Sequence, residues 1–287
     1  VLGALRAKGA DVNDLGNQRI VIAGAGSAGI GVAQVLMQAM IEQGSTPEKA
    51  KDCFYVVDAA GLLGTEQSSK LSNEQRIFAR EEDGGMPLDQ VVKKYKATML
   101  LGMTGVGGLF KENIIRSMAE NCERPVIFPL SNPTIKAECT AEQAFKWTDG
   151  KCIFASGSPF DPVTMDADKV FYPTQCNNMY IFPGLGLGAT LSGAKTVSDK
   201  MLYVAAEALA NFVTDDELAQ GKVFPPLNQI RDVSRSVAVA VIKQAMEEGQ
   251  ASKIGSDINV DNLEEFVHKK MYDPIYVPLV EKREVTI

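Results

Sequence analysis

The 287-residue chain contains a single histidine, His268, set in a helical pattern near the C-terminus and far from every loop discussed below. A histidine-centred acid–base or zinc site therefore has no material here. The five cysteines, at 53, 122, 139, 152 and 176, form no Cys-x-x-Cys pair and no metal-ligand spacing. Their odd number and apolar surroundings point to free thiols in a reducing compartment, read as the cytoplasm. No apolar run approaches the roughly 20 residues of a membrane-spanning helix. Basic residues do not dominate either: 29 Lys and Arg against 36 Asp and Glu leave a net charge of −7. That balance argues against nucleic acid as a partner and offers no basic footprint for a membrane. There is no internal repeat, low-complexity stretch or clear linker. No initiator Met or signal peptide opens the chain. Val1–Gly9 reads as the tail of a helix ended by Gly9, which is expected of a piece of a longer protein.

What is present is a globular composition, 45% hydrophobic and 23% charged, enough for a sizeable core in one large or two small domains. The most informative stretch is Ile20-Val-Ile-Ala-Gly-Ala-Gly-Ser-Ala-Gly-Ile-Gly31. Ile20, Val21 and Ile22 read as a strand buried on both faces. Gly24 permits a tight turn, and Gly26 lets the backbone approach a pyrophosphate. Gly29 or Gly31 lets the following helix pack close to the strand. That helix, about Ser27 to Gln43, aims its free N–H groups at the phosphates, with Ser27 and Ala28 supplying amides. A second apolar run, Cys53 to Val57, ends in Asp58, where a carboxylate would bind the hydroxyls of the adenosine ribose. Asp58 lies 32 residues past Gly26 rather than the usual value of about 20, and Gly44–Asp52 accounts for the excess as an inserted turn or short helix. The competing reading is a glycine turn used only for packing.

Strands and helices alternate onward. Helices are expected over Pro87–Tyr95, Lys111–Asn121 and, capped by Thr140, through Trp147; strands over Ala97–Leu101, Pro125–Leu130 and Cys152–Ala155. The pattern predicts an α/β fold, a Rossmann-like doubly wound parallel sheet with additional C-terminal helices from about residue 177. Ligands of such sheets sit beyond the carboxyl ends of the strands. The loops there are Gly24–Gly29, Asp58, Gly102–Gly108, Ser131–Thr134 and Ser156–Pro159, all small, polar or glycine-rich. Further on come a glycine-rich apolar segment from Asn177 to about Ala189, and helices at Ser198–Phe212, Asn228–Glu247 and Asn262–Met271. Glu81-Glu82-Asp83 reads as a solvated loop rather than a metal site, because adjacent side chains diverge. The tail Tyr272–Ile287 is mixed and suited to packing on a neighbouring region or subunit.

Three stretches are more specific: Arg124-Pro-Val-Ile-Phe-Pro-Leu-Ser-Asn-Pro-Thr134, Phe154-Ala-Ser-Gly-Ser-Pro-Phe160 and Gln175-Cys-Asn-Asn-Met-Tyr-Ile-Phe-Pro-Gly184. With the glycine turn and Asp58 in register, they resemble the malic enzymes from about Asn17 to Lys243, and most of all bacterial NAD-linked forms. The resemblance implies oxidation of (S)-malate to pyruvate and CO2 with NAD(P)+ and a divalent metal, Mg2+ or Mn2+. It implies that residues 1–287 are the NAD(P)-binding domain. The family's catalytic lysine and tyrosine and its metal ligands would lie upstream in an N-terminal catalytic domain, leaving the chain inactive by itself. The intact protein would be a homo-oligomer. By the same resemblance, Asn132 reaches the nicotinamide ribose or malate, and Asn177 and Asn178 face the substrate, Asn178 the more so. Asn132 could instead organise a turn before Pro133, and an asparagine of the pair could cap a helix. Thr104 and Gly105 would line the cofactor groove. Asp58 would repel a 2′-phosphate, which favours NAD over NADP, unless a later lysine such as Lys70 reached back. The alternatives are the cofactor domain of another amino- or hydroxy-acid dehydrogenase, or a non-catalytic NAD-binding or oligomerisation module.

Overall fold

The computed structural model describes residues 1–165, 169–255 and 260–276. Helix α1 (Leu2–Ala7) leads to strand β1 (Ile20–Ala23), helix α2 (Ser27–Glu42), the short α3 (Pro47–Lys51), strand β2 (Phe54–Asp58) and the two-residue β3 (Gly61–Leu62). Then follow α4 (Asn73–Ile77), α5 (Leu88–Lys94), β4 (Met99–Gly102), α6 (Glu112–Asn121), β5 (Val126–Pro129), α7 (Ala141–Trp147) and β6 (Ile153–Ser156). A small hairpin, β7 (Val163–Thr164) with β8 (Val170–Phe171), precedes strand β9 (Thr174–Gln175). The chain closes with α8 (Phe182–Ser192), α9 (Asp199–Phe212), α10 (Asp215–Ala219), α11 (Ile230–Glu247) and α12 (Leu263–Lys270). Residues 277–287 of the mixed tail lie outside the described residues.

The main sheet has seven strands in the order β3-β2-β1-β4-β5-β6-β9. Every pairing is parallel except β2 with β3. Alternate residues of each strand feed two separate cores. Ile20, Ile22, Phe54, Val56, Met99 and Leu101 face one, with α1 and α2; Val21, Ala23, Tyr55, Val57, Leu100 and Ile127 face the other, with α5, α6 and α7. Covering on both faces is why these strands read as unbroken apolar runs.

The expected elements stand, and the inserted segment before β2 is α3, capped by Thr46 with Pro47 in its first turn. Three features add to the reading of the sequence or depart from it. First, the two-residue strands β3 and β9 extend the sheet beyond five strands; two residues are too few to show a period. Secondly, the glycine-rich segment after Asn178 is the helix α8. A Cβ at Gly184 would lie 2.6 Å from the Ser234 carbonyl oxygen, and one at Gly188 2.8 Å from that of Ala238. The glycines are there so that α8 and α11 can pack closely, and packing outweighs their poor helix propensity. Thirdly, Asp83 is not simply solvated. Its carboxylate accepts from Lys94 and from the Tyr95 hydroxyl at 2.5 Å.

Candidate functional site

β1 pairs with β2 on one side and β4 on the other, so successive connections leave it in opposite directions. The crevice outside its carboxyl end is the switch point where open α/β sheets bind ligands. The turn after β1 is built for close approach. Gly24 has a φ of +112°, and a Cβ on it would lie 2.4 Å from the Met103 carbonyl oxygen in the loop after β4. Gly29 is buried, and its Cβ would fall 1.9 Å from the Gly24 oxygen. Gly31 has open space around it, so Gly29 alone of the two sets the distance between α2 and the turn. Gly26 is exposed, with nothing within 4 Å of a Cβ placed on it. It is also the N-cap of the 16-residue α2 and offers no side chain to its amides. Exposed Ser27 and Ala28 therefore begin a helix whose first N–H groups meet no side-chain cap. Open backbone N–H groups at a helix N-terminus are of the kind that can hold an anion.

Asp58 ends β2 exposed, one carboxylate oxygen accepting its neighbour Ala59 N–H at 2.8 Å. Lys70 is exposed at the end of a 3₁₀ turn, Thr65–Lys70. The sequence did not reveal what lies beside the turn: Gln75, in the capping box of α4, donates from Nε2 to the Ala25 carbonyl at 2.9 Å. That contact seats α4 on the glycine loop.

On the other side of β1, the loops after β4 and β5 are joined by a residue that sequence reading passed over. Glu138 is 0% exposed. Its Oε1 accepts from the Thr104 N–H at 2.9 Å, the Thr104 hydroxyl at 2.8 Å and the Ser131 hydroxyl at 2.5 Å. The Ser131 oxygen in turn accepts the Gly105 N–H at 2.8 Å. No local pattern announces Glu138. It precedes the Thr140 cap by two positions and looks like one more charged loop residue.

Asn132 is exposed, and its peptide bond to Pro133 is cis. Its side-chain oxygen accepts from the Ser158 hydroxyl at 2.7 Å, which ties the β5 loop to the β6 loop, and its amide NH2 retains two donor hydrogens beside Gly157. Strand β9 then brings Asn177 and Asn178 to the same sheet edge, two strands and roughly 10 Å from β5. The two asparagines divide their work. Asn177 caps the following 3₁₀ turn by accepting the Met179 N–H at 3.0 Å, while Asn178 is exposed.

The cysteines are all free, and burial raises each thiol above its ordinary range, Cys152 to about 12. They are poor nucleophiles. His268 is exposed on α12. Among the described residues no three of His, Cys, Asp and Glu are grouped to hold a metal, and no helix is long and apolar enough to cross a membrane.

Sheet order, glycine turn and open helix N-terminus define a dinucleotide-binding domain of the doubly wound α/β class. Residues 1–246 match the family described as malic enzyme, NAD binding domain. The NADP-dependent malic enzyme of Dictyostelium discoideum is 47% identical over 260 residues, covering 90% of this chain and 47% of that protein. The mitochondrial NAD-dependent malic enzyme 2 of Arabidopsis thaliana is 41% identical over 295 residues, covering 99% and 48%. The crystal structure of malic enzyme from Pyrococcus horikoshii superposes with a TM-score of 0.71 at 26% identity, covering 93% of this chain and 55% of that one. The chain belongs to the malic enzyme family and carries its NAD-binding domain. It spans about half the length of the curated relatives it matches.

Proposed function

We propose that this chain is the cofactor-binding part of an enzyme that oxidises (S)-malate to pyruvate and CO2 with reduction of NAD+. The observation that carries this reading is the exposed, side-chain-free N-terminus of α2 behind Gly26, at the switch point between β2 and β4. The amides of Ser27, Ala28 and Gly29 would hold the pyrophosphate, and Asp58 the adenosine ribose hydroxyls. Thr104 and Gly105 would line the nicotinamide half. Asn132 and Asn178 would donate amide hydrogens to the ribose or to malate, with Asn177 shaping the turn that presents Asn178. The cofactor supplies the acceptor for the hydride that leaves C2 of malate.

NAD is the proposed cofactor because Asp58 would repel a 2′-phosphate and Ala59 and Ala60 beside it offer no cation. The relatives' own names divide between NAD and NADP, so this charge argument carries the choice. The general base and the ligands of a divalent Mg2+ or Mn2+ are proposed to lie in an associated catalytic domain, since the described residues group no such set. The 287 residues alone would bind cofactor without turnover. Free thiols support a cytoplasmic location, and exposed Tyr272, Ile275 and Tyr276 support a homo-oligomeric or interdomain contact.

Calorimetric titration with NAD+ and then NADP+, both without metal, tests the reading. Saturable NAD+ binding with NADP+ clearly weaker is expected. Binding of neither by the intact protein would overturn it.

A further inference from the structure

We propose that Glu138 is the positioning residue for the nicotinamide half of the site; this rests on the dinucleotide reading above. A buried carboxyl group is costly unless its oxygens are met by donors. Here the donors come from two loops and both face the crevice. Thr104 uses its N–H and hydroxyl; Ser131 uses its hydroxyl and, at 3.4 Å, its N–H. Each hydroxyl oxygen is itself occupied by a backbone amide, Val106 N–H on Thr104 at 3.0 Å and Gly105 N–H on Ser131 at 2.8 Å. Each hydroxyl oxygen accepts an amide and so keeps its own hydrogen to donate to Glu138.

The surroundings are shaped to this carboxyl. A Cβ at Gly102, the last residue of β4, would lie 2.5 Å from the Glu138 Cδ, so the strand end leaves space for it. The Phe110 N–H donates to the Glu138 carbonyl at 2.9 Å, and the Gly108 N–H to that of Ala137 at 3.1 Å. The whole 104–110 loop is thus laid along residues 137–138. Removing the carboxyl frees Thr104, Gly105 and Ser131 together, and with them the register of Asn132 next to Ser131. Asp58 ends β2 on the other side of β1, and the glycine turn follows β1 with Gly24 against Met103 of this loop; neither makes any of these bonds to Glu138. Glu138 therefore acts on the half of the ligand that crosses β4 and β5, not on the adenosine half.

This asymmetry sets the test, which is calorimetric titration of the intact protein with ADP, the adenosine half alone, and then with NAD+. Wild type is expected to bind both, NAD+ more tightly. Glu138→Met keeps the volume and removes the acceptors. It is expected to hold ADP within about twofold while NAD+ weakens about tenfold or more, the scale of one lost buried hydrogen bond. Glu138→Gln keeps an oxygen for the three Oε1 donors and is expected to retain most of the NAD+ affinity. Should Glu138→Met fail to fold, Ser131→Ala breaks the same bridge at Gly105 and should weaken NAD+ selectively. Equal loss of ADP and NAD+ in the variants, or no loss of NAD+, overturns the role of Glu138. Failure of wild type to bind ADP overturns the dinucleotide reading itself.

Discussion

Gly29 sits so close beneath Gly24 that a single methyl group on it would come within 1.9 Å of the Gly24 carbonyl oxygen. Gly26, between them, has no neighbour within 4 Å in the direction of its missing side chain. Two glycines of one motif thus stand in different surroundings, one packed against the turn and the other open. Gly29→Ala should destabilise the protein by about 1–3 kcal/mol, the range for forcing a methyl into a packed site, and weaken cofactor binding with it. Gly26→Ala should cost at most about 1 kcal/mol, the loss of a glycine cap, yet weaken NAD+ by about tenfold or more. Thermal unfolding and calorimetry on both variants separate the two roles. Equal effects on stability would remove the distinction.

Asp58 stands exposed at the end of β2. Asp58→Ala should weaken NAD+ by about tenfold, as expected for losing hydrogen bonds to a charged acceptor, and narrow the preference over NADP+. The ratio of the two dissociation constants is the quantity to measure. A ratio unmoved by the substitution would mean that selectivity is set elsewhere.

Asn177 and Asn178 are adjacent in sequence but differ in what they hold. Asn177→Ala removes a cap and should lower stability by about 0.5–2 kcal/mol. Asn178→Ala should leave stability within about 0.5 kcal/mol, as at other exposed sites, and lower malate oxidation in the intact protein. Unchanged turnover in Asn178→Ala would exclude it from the substrate site.

The Asp83 carboxylate is held below its ordinary value of 3.8 by hydrogen bonds from Lys94 and Tyr95. Its contribution to stability is present above that value and is lost as pH falls through the lower folded one. Desolvation and the bond to Asp83 raise Tyr95 from 10.0 to about 12. Stability from Tyr95 is present below 10.0 and is lost as pH rises through about 12. Tyr95→Phe should therefore flatten the alkaline limb of an unfolding profile and part of the acid limb. A profile that keeps both limbs unaltered would show that the pair does not contribute.

Much of this molecule was legible along the chain. Apolar runs buried on both faces, the glycine turn, Asp58 and the asparagine loops depend on composition and local spacing, which are properties of consecutive residues. They determined the class of fold, the edge of the sheet where ligands bind and the family resemblance. Tertiary structure decided the rest. Strand β9 is two residues long and exists because β6 offers it a partner, and that pairing carries Asn177 and Asn178 to the carboxyl edge of the sheet. The helix α8 carries three glycines at positions 184, 186 and 188, which local propensity disfavours; α11 packed against the first and third of them makes it a helix. Glu138 is 34 residues from Thr104, and its role comes from contact between two loops that no local window contains. Local interactions follow the order of residues, whereas buried polar partners are chosen by the way the sheet brings distant loops together.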